Sequence, residues 1–385
     1  MKAMVMYETG SPLVLEELEL DLPGPGEVRV RIEAAGVCHS DVHYISGALA
    51  ARTPIVLGHE GAGIVEQVGD GVTAFAPGDK VVLMWRPRCG ECEFCLSGKP
   101  AQCTLGKVHG QTNGLLRGGT RLSKDGVRYH HLMGASVFAE HAVVSQESLI
   151  AIDADVPSEI AAIVGCAVIT GMGTVLNRMP DLTGKTVAII GAGGVGLSAV
   201  IAAELVGAAK IIVSDVVPAR LEKARELGAT HTIDSSAEDF TERVLEITGD
   251  GAHYVLEAIG RPATIRAGFD SLRPGGTEVV VGLGAAGEEL SIPINMLVQG
   301  DRRIVGALYG SSNTPVQLPE ILRLYKAGRL PLDRLLDQTF ALEDANAAIE
   351  HLRTGAVGRP ILVPSSQPLV PIPNYASASL SKETV

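Results

Sequence analysis

The sequence Thr186-Val187-Ala188-Ile189-Ile190-Gly191-Ala192-Gly193-Gly194-Val195-Gly196 joins an uninterrupted apolar strand directly to a glycine-rich turn. An alanine-rich segment follows to about Val206. A GxGxxG motif alone is weak evidence, but between a strand and a helix it predicts a dinucleotide-binding turn. We expect Gly191 to permit the turn, Gly193 to let the backbone approach a pyrophosphate, and Gly196 to allow close helix packing. The alternative is a tight turn with a purely structural role.

The turn, which includes Gly194 and Val195, leads into a helix whose N-terminus we expect to point at the same negative charge. The next predicted strand, at 210–214, ends in Asp215. A carboxylate at this position accepts hydrogen bonds from ribose hydroxyls and repels a 2′-phosphate, so we expect NAD in preference to NADP. Arg220 could cover the adenosine ribose, or it could be an ordinary solvated helix arginine.

Strand and helix patterns continue to alternate after this unit. We predict strands at 231–234, 253–259, 277–283 and 303–308, and helices at 218–227, 237–247, 262–271, 316–327 and 343–353. Strands that alternate with helices indicate a parallel, doubly wound sheet, and therefore the α/β class.

A second chemical signal lies earlier, in Cys38-His39-Ser40-Asp41-Val42-His43 and in Gly58-His59-Glu60. Thiolate and imidazole are ligands that zinc prefers, and Ser40 and His43 are proton carriers placed beside them. We interpret the group as a reaction centre. Taken singly, Cys38 and His59 also fit a buried thiol and a loop histidine. Cys166 matters because two ligands cannot close a zinc site and the other four cysteines group elsewhere.

Those four cysteines form the pattern Cys89-x2-Cys92-x2-Cys95-x7-Cys103. Four thiolates close a tetrahedral zinc site with no open position, so we predict a structural zinc ion. The alternative is a redox or iron–sulfur site. The expected cytosolic location also favours metal binding over disulfides for the six cysteines.

The sequence pattern in the first part of the chain is typical of a β-rich domain. Short apolar runs separated by Pro and Gly, such as 27–32, 55–57, 64–68 and 81–84, predict a partly closed barrel. Residues 104–131 show no clear period, and we predict a surface excursion. Within it, His130 and His131 are either a third ligand pair or, as we prefer, the approach to a pocket wall.

The bulk composition bounds the function. With 385 residues the chain has room for two or three domains, and 46% apolar residues are ordinary for a globular protein. A net charge of −12 without a basic run disfavours nucleic acid and acidic membrane surfaces, so we expect small-molecule partners. We see no signal peptide and no apolar run approaching a membrane span, and we predict a cytoplasmic protein.

Together and in this order, the two metal motifs and the coenzyme fingerprint resemble those of zinc-dependent medium-chain alcohol dehydrogenases, from residue 1 to about residue 363. The resemblance implies a catalytic domain with a GroES-like barrel (1–167 and 309–364) and an inserted NAD-binding Rossmann domain (168–308). A loosely ordered tail is expected at 365–385. Relatives imply a homodimer, with a tetramer as the alternative.

The resemblance also implies roles for individual residues. Cys38, His59 and Cys166 would bind a catalytic zinc ion whose fourth position is open to substrate, which makes two zinc ions per chain. Glu60 would approach the metal transiently, and Asp41 would orient His59. Ser40 and His43 resemble the two ends of a proton relay. The coenzyme contacts implied beyond the fingerprint are His39, Thr170, Val281, Leu283 and Arg359.

The implied substrate channel is lined by apolar side chains, whose alternative role is core packing. They are Leu49, Trp85, Leu132, Met133, Leu283 and Leu308. We therefore expect primary or secondary alcohols of aliphatic, allylic or benzylic type, interconverted with aldehydes or ketones by hydride exchange with NAD. The first alternative is a dehydrogenase of the thiol adduct of formaldehyde. The second is a nonenzymatic protein that binds zinc and nucleotide.

Overall fold

The computed structural model describes residues 1–106, 113–285 and 287–364. The predicted tail at 365–385 lies outside the described residues, as do residues 107–112 of the predicted surface excursion. Within the described chain, the predicted α/β class with a barrel and a parallel sheet is confirmed.

Two sheets make up the β-rich part, which includes both ends of the described chain. The six-stranded sheet contains, in spatial order, Val14–Glu17, Lys2–Met6, Ile55–Val56, Val127–His131, Leu122–Lys124 and Glu19–Leu20. The other sheet contains Leu149–Ala151, Lys80–Leu83, Glu60–Val68, Glu27–Gly36, Arg359–Val363 and Leu336–Ala341, with His141–Ser145 also paired to Glu27–Gly36. Together they form a nearly closed barrel.

The late strand Arg359–Val363 pairs antiparallel with Glu27–Gly36, with Ile361 opposite Gly36. The backbone N–H of Val37 donates to the carbonyl of Pro360 at 2.9 Å. This pairing carries Arg359 to the place where the early strand leads into Cys38.

The middle of the chain forms a parallel sheet of six strands. Their spatial order is His231–Asp234, Lys210–Asp215, Thr186–Ile190, Ala252–Glu257, Leu272–Val280 and Arg303–Gly306. The doubly wound parallel sheet is therefore as predicted. The strand predicted at 277–283 starts and ends earlier, because its pairing with Ala252–Glu257 continues to Leu272 across an irregular step.

The helices follow the predicted alternation closely. Their bounds are His39–Ser46, Glu93–Leu96, Gly194–Leu205, Pro218–Glu226, Phe240–Thr248, Pro262–Asp270, Ile294–Gln299, Thr314–Lys326 and Ala345–Thr354. The helix predicted from 237 begins at Phe240, because the side chain of Asp239 accepts a hydrogen bond from the backbone N–H of Glu242 and caps it.

One further helix, Ser158–Arg178, lies between the barrel and the parallel sheet; we call it the Cys166 helix. It consists of Ser158–Ile163, a π-helical turn at Val164–Val168, and Ile169–Arg178. The prediction that no apolar run approaches the length of a membrane span is wrong, since this helix is long and apolar enough by length and composition. Because 89% of its apolar window is buried inside the protein, it is a core helix here.

The prediction of a surface excursion at 104–131 is wrong for its later part. The segments Leu122–Lys124 and Val127–His131 pair with each other and join the six-stranded sheet. His131 is fully buried, and its Nε2 accepts a hydrogen bond from the backbone N–H of Arg121 at 3.3 Å. The alternation of apolar and polar residues that marks a strand was not recognisable, because these strands are only three and five residues long.

Candidate active site and metal centres

The four clustered cysteines meet as the spacing predicts. Their sulfur atoms all lie within 4.8 Å of one another, and none forms a disulfide. The Sγ–Sγ distances include 3.6 Å for Cys89–Cys103, 3.9 Å for Cys92–Cys103 and 4.0 Å for Cys89–Cys95. Zinc–sulfur bonds of about 2.3 Å in a tetrahedron place sulfurs about 3.8 Å apart, so this group fits one zinc ion.

Backbone amides also point at these sulfurs. The N–H of Cys89 donates to Sγ of Cys103, and the N–H of Cys92 donates to Sγ of Cys89, each at 3.3 Å. Amides aimed at sulfur stabilise the thiolate form that metal binding needs. The donor set therefore suits a closed metal site.

A second group contains Cys38, His59, Glu60 and Cys166, whose ligand atoms also lie within 4.8 Å of one another. All four side chains are buried. Cys38 caps the helix His39–Ser46, Glu60 begins the strand Glu60–Val68, and Cys166 lies in the π-helical turn. The fold thus gathers three separate parts of the chain at one point. Among the described residues, neither metal-competent group includes His130 or His131.

The buried carboxylate of Asp41 organises this second group. Its Oδ2 accepts the backbone N–H of Cys38 at 3.0 Å, and its Oδ1 accepts that of Gly58 at 3.2 Å. The same Oδ1 lies 3.2 Å from Nδ1 of His59. This contact leaves Nε2 of His59 for a metal ion, an arrangement that fixes ring orientation in metal sites.

Arg359 supplies the positive charge beside this group. Its Nε lies 3.2 Å from Oε2 of Glu60, and its Nη1 donates to the carbonyl of Val37 at 3.0 Å. Burial raises the pKa of Glu60 to about 8, although the guanidinium of Arg359 pulls in the opposite direction. A carboxyl with this pKa can change charge near neutral pH when the charge beside it changes.

The two thiols of the second group are electrostatically unequal. The pKa of Cys38 lies well below its usual value because Cys166 donates a hydrogen bond to it and Arg359 is close. The pKa of Cys166 lies well above its usual value for the converse reason, with burial as the next cause. The contact between the two thiols therefore favours the thiolate form at Cys38 over that at Cys166.

The helix after Cys38 carries the predicted proton carriers. Ser40 and His43 are half-buried, and Oγ of Ser40 lies 3.8 Å from Sγ of Cys38. His39 lies on the exposed side of the same helix. The relay through Ser40 and His43 and the pyrophosphate contact of His39 stay predictions.

The glycine-rich turn has the expected backbone. Gly191 has φ +97°, and a Cβ atom on Gly196 would lie 1.8 Å from the carbonyl oxygen of Gly191. A Cβ on Gly193 would meet no atom within 4 Å among the described residues. The turn is thus tight behind Gly196 and open at Gly193, as approach to a pyrophosphate requires.

The same turn touches the metal centre through Arg359. A Cβ atom on Gly194 would lie 2.6 Å from Nη2 of Arg359, so a larger residue here would displace the end of that side chain. Val195 is half-buried at the start of the helix Gly194–Leu205. Arg359 therefore lies between the carboxyl group of Glu60 and the glycine-rich turn, which we also call the coenzyme turn after its predicted ligand.

Asp215 ends its strand beside the turn. Its Oδ2 accepts the backbone N–H of Ala192 at 2.8 Å, and its Oδ1 accepts that of Val217 at 2.9 Å. Arg220 places Nη1 3.8 Å from Asp215, while its Nε donates to the carbonyl of Ala356 at 2.9 Å. Arg220 is thus bonded across to the C-terminal segment and is not simply a solvated helix residue.

The remaining predicted coenzyme residues occupy different surroundings. Thr170 is buried in the Cys166 helix, where its carbonyl accepts the hydroxyl of Thr174 at 2.7 Å. The N–H of Val281 donates to the carbonyl of Glu257 at 2.8 Å. Leu283, which we predicted to contact both coenzyme and substrate, is 49% exposed. Their coenzyme contacts stay predictions.

The predicted channel residues are not alike. The Trp85 ring lies against Tyr309, with ring centroids 4.7 Å apart. Met133 is half-buried with φ +49°, and Leu49 and Leu308 are half-buried. Leu132 is fully buried in the core of the barrel, where core packing already accounts for it. The lining roles of these residues stay predictions.

Sequence reasoning missed Tyr309. It lies in the turn Leu308–Ser311, its ring is buried, and its hydroxyl donates to the carbonyl of Gly165, next to Cys166. A lone aromatic residue after an edge strand gave no signal for this contact.

Comparisons with known proteins agree across the chain. A family model described as the alcohol dehydrogenase GroES-like domain matches residues 24–154. A model described as zinc-binding dehydrogenase matches residues 194–327. The NDMA-dependent alcohol dehydrogenase of Amycolatopsis methanolica is 38% identical over 370 residues, which cover 95% of this chain and 99% of that protein.

Solved structures give the same picture. Benzyl alcohol dehydrogenase from Acinetobacter calcoaceticus matches with a TM-score of 0.89 and 34% identity, covering 94% of this chain and 98% of that one. A zinc-binding dehydrogenase from Sinorhizobium meliloti, bound to NADP, matches with a TM-score of 0.76 and 26% identity, covering 94% and 99%.

Proposed function

Because the chain belongs to the zinc-dependent medium-chain alcohol dehydrogenase family, we propose that it interconverts primary or secondary alcohols with aldehydes or ketones, using NAD. The observation that carries this proposal is the meeting of Cys38, His59 and Cys166 beside Arg359, which also touches the coenzyme turn at Gly194. Metal ligands and coenzyme turn adjoin one another, as hydride transfer between alcohol and nicotinamide requires.

The donor set fits two zinc ions. Cys38, His59 and Cys166 would hold the catalytic ion, and the four clustered cysteines would hold the structural one. The catalytic zinc would act as a Lewis acid that lowers the pKa of a coordinated alcohol, and NAD would accept the hydride. Two thiolates and one neutral imidazole leave a fourth position, and the ligand atoms of Glu60 lie close enough to approach it.

The chain supplies the path for the proton. Ser40, beside Cys38, would accept the proton of the substrate hydroxyl and pass it by way of the coenzyme ribose to His43. Asp41 keeps the imidazole of His59 oriented, so it acts through that ligand. Nε of Arg359 lies 3.2 Å from Oε2 of Glu60, so its permanent positive charge would offset the negative charge that Glu60 gains on losing its proton.

The coenzyme assignment rests on Asp215. Asp215 ends its strand beside the glycine-rich turn, so we infer that its carboxylate would meet the adenosine ribose of a dinucleotide and would repel a 2′-phosphate. A related structure is bound to NADP, so coenzyme choice varies among the relatives. Another relative is an NDMA-dependent alcohol dehydrogenase, which is consistent with cofactor variation among the relatives. We favour NAD here on the charge of Asp215.

The substrate class follows from the apolar walls. Trp85, Met133 and Leu308 present large apolar surfaces, which suit aliphatic, allylic or benzylic groups. The structural relative that acts on benzyl alcohol is consistent with this class. The thiol-adduct alternative needs charged anchors at the pocket mouth, where Ala48-Leu49 and Thr104-Leu105 occupy the corresponding positions. Arg52, which is exposed, or Lys107, which lies outside the described residues, would have to substitute for them. We further expect a cytoplasmic homodimer, with a tetramer as the alternative.

A substrate panel separates these functions. Zinc-loaded protein is mixed with NAD or NADP and with benzyl alcohol, butanol or the glutathione adduct of formaldehyde, and the absorbance of reduced nicotinamide is followed. We expect turnover of the two alcohols with NAD. Turnover of the adduct alone would favour the formaldehyde branch. No turnover by protein that binds both zinc and NAD would favour a binding protein.

A further inference from the structure

Tyr309 joins two parts of the site that are far apart in the chain. Its hydroxyl donates to the carbonyl of Gly165, the residue immediately before Cys166. Its ring lies against the indole of Trp85, with centroids 4.7 Å apart and planes inclined by 51°. The side chain is only 2% exposed, so both contacts are made in the protein interior.

The carbonyl of Gly165, which accepts this hydrogen bond, lies in a π-helical turn. Gly165 and Cys166 belong to the π-helical turn Val164–Val168 inside the Cys166 helix. Single π turns within α-helices are uncommon and occur frequently at functional sites. A slip of one residue toward the α-helical register would rotate a side chain by about 100° around the helix axis. Such a slip would turn Cys166 away from Cys38 and His59.

The turn that carries Tyr309 is itself in an uncommon conformation. Tyr309, Gly310 and Ser311 have φ values of 54°, 64° and 51°. The left-handed region is costly for a bulky residue and persists only where surrounding contacts hold it. A Cβ atom on Gly310 would lie 2.6 Å from the carbonyl oxygen of Thr170, so the turn and the Cys166 helix are pressed together.

A second bond ties this turn to the same helix. The hydroxyl of Ser312 donates to the carbonyl of Ile169 at 3.2 Å. The turn therefore contacts the Cys166 helix both at the π turn and one helical turn later. Asn177 and Arg178 of the helix also bond to the turn, but among the described residues the Tyr309 bond is the one from this turn that reaches the residue next to Cys166.

We propose that Tyr309 is a positioning residue: its hydroxyl holds the π turn in the register that aims Cys166 at the catalytic metal, and its ring sets the position of Trp85. The inference rests on the proposed function only for the identity of the metal site. Tyr309 acts through Gly165 and Trp85 and is not a metal ligand. A tyrosine that merely filled space would need only its ring.

The test replaces Tyr309 by Phe, which keeps the ring and removes the hydroxyl. The matched control is Tyr129→Phe, because Tyr129 is also buried and its hydroxyl bonds to that of Tyr7 at 2.9 Å, in the six-stranded sheet. Each full-length protein is loaded with Co²⁺ at both metal sites, and its visible absorption spectrum is recorded. Zinc-loaded samples are exposed to a chelator, and the release of each zinc ion is timed.

For Tyr309→Phe we expect the catalytic site to lose zinc about tenfold faster, equivalent to about 1.4 kcal/mol. The four-cysteine site of the same molecule should release zinc at the wild-type rate. The thiolate–cobalt and d–d bands of the catalytic site should shift, because the direction of one sulfur ligand changes. Tyr129→Phe should match the wild type in both measurements.

Unchanged spectra and release rates in Tyr309→Phe, with or without a lower melting temperature, would overturn the proposal. Should that variant not fold, Tyr309→Met, which also lacks the hydroxyl, is measured in its place: faster zinc release from the catalytic site alone supports the proposal, and release at the wild-type rate overturns it. Neither measurement uses alcohol turnover. Failure of the substrate panel would therefore leave this result interpretable, and failure here would leave the proposed reaction intact.

Discussion

Glu278 is a buried carboxyl whose environment makes a quantitative prediction. It lies in the strand Leu272–Val280 with no exposed surface, and neither oxygen has a hydrogen-bond partner among the described residues. The carboxyl is pressed against the helix Pro262–Asp270, since a Cβ atom on Gly268 would lie 2.2 Å from Oε1. Burial, with the negative charges of Glu257 and Asp270, raises the pKa of Glu278 to about 9.

The sign of the effect follows from this raised pKa. Between pH 4.5, the ordinary pKa of a glutamate, and about pH 9, the folded protein keeps the proton of Glu278 while the unfolded chain releases it. Stability therefore falls as pH rises through this window and becomes level above it. One pKa unit corresponds to about 1.4 kcal/mol, so this carboxyl lowers the unfolding free energy by up to about 4 kcal/mol between about pH 4.5 and pH 7.5.

Glu278→Gln removes the titration and keeps the shape, because a protonated carboxyl and an amide have nearly the same size. Urea unfolding at fixed zinc and protein concentration, near pH 5 and again near pH 8, gives the change in stability with pH. We expect the variant to gain about 2–4 kcal/mol relative to the wild type on going to the higher pH. The control is Glu289→Gln, an exposed glutamate that should leave the pH dependence unchanged. Parallel pH profiles for Glu278→Gln and the wild type would refute the reasoning.

Three further predictions concern the metals and the coenzyme. Cys89→Ser should lose the structural zinc and lower the melting temperature by several degrees, because a site with three thiolates binds zinc less tightly. Metal analysis and calorimetry check this. Full retention of two zinc ions per chain would contradict it. His43→Ala should keep both zinc ions and slow alcohol oxidation mainly at low pH, where proton release is hardest; a uniform loss of rate at all pH values would count against the relay. Asp215→Gly should admit NADP but also weaken NAD binding, because it removes the bonds to Ala192 and Val217. Asp215→Asn removes the charge and keeps an acceptor, and an unchanged NAD-to-NADP ratio of kcat/KM in both variants would argue against the assigned role.

The alternation of strands and helices was predictable because each parallel strand is a short apolar run that ends in a turn. The ends of elements were less predictable, since they depend on side-chain bonds such as the cap that Asp239 forms with Glu242. The strands within 122–131 were missed because runs of three and five residues carry too little periodicity. The apolar length of Ser158–Arg178 was also underestimated, because serine, threonine and glycine residues interrupt its stretch of apolar residues.

The metal groups were predictable to different degrees. The spacing of four cysteines within one short segment predicts a metal site, and Cys38 lies near His59 in sequence. Cys166 alone gives no such signal: it was a candidate because the other four cysteines group elsewhere, and the resemblance assigned it as a ligand. Its place depends on a π turn, and the register of a helix cannot be read from residue types alone. The contacts of Tyr309 with Gly165 and Trp85 were invisible for the same reason, because they join three separate segments.

Arg359 shows why the metal centre and the coenzyme turn are coupled although they lie on different sheets. Its strand returns to pair with Glu27–Gly36, which places the guanidinium between Glu60 and Gly194. A guanidinium has five N–H donors in a fixed plane and stays charged at all relevant pH values. It can therefore keep its ion pair with Glu60 and its hydrogen bond to the carbonyl of Val37, and on the proposed function Nη2 beside Gly194 would be left to contact a pyrophosphate. Lysine at this position would offer a single point of charge and could not contact Glu60 and the glycine-rich turn together. The pairing of the late strand Arg359–Val363 with the early strand Glu27–Gly36 is therefore what brings the candidate metal ligands and the glycine-rich turn to one arginine.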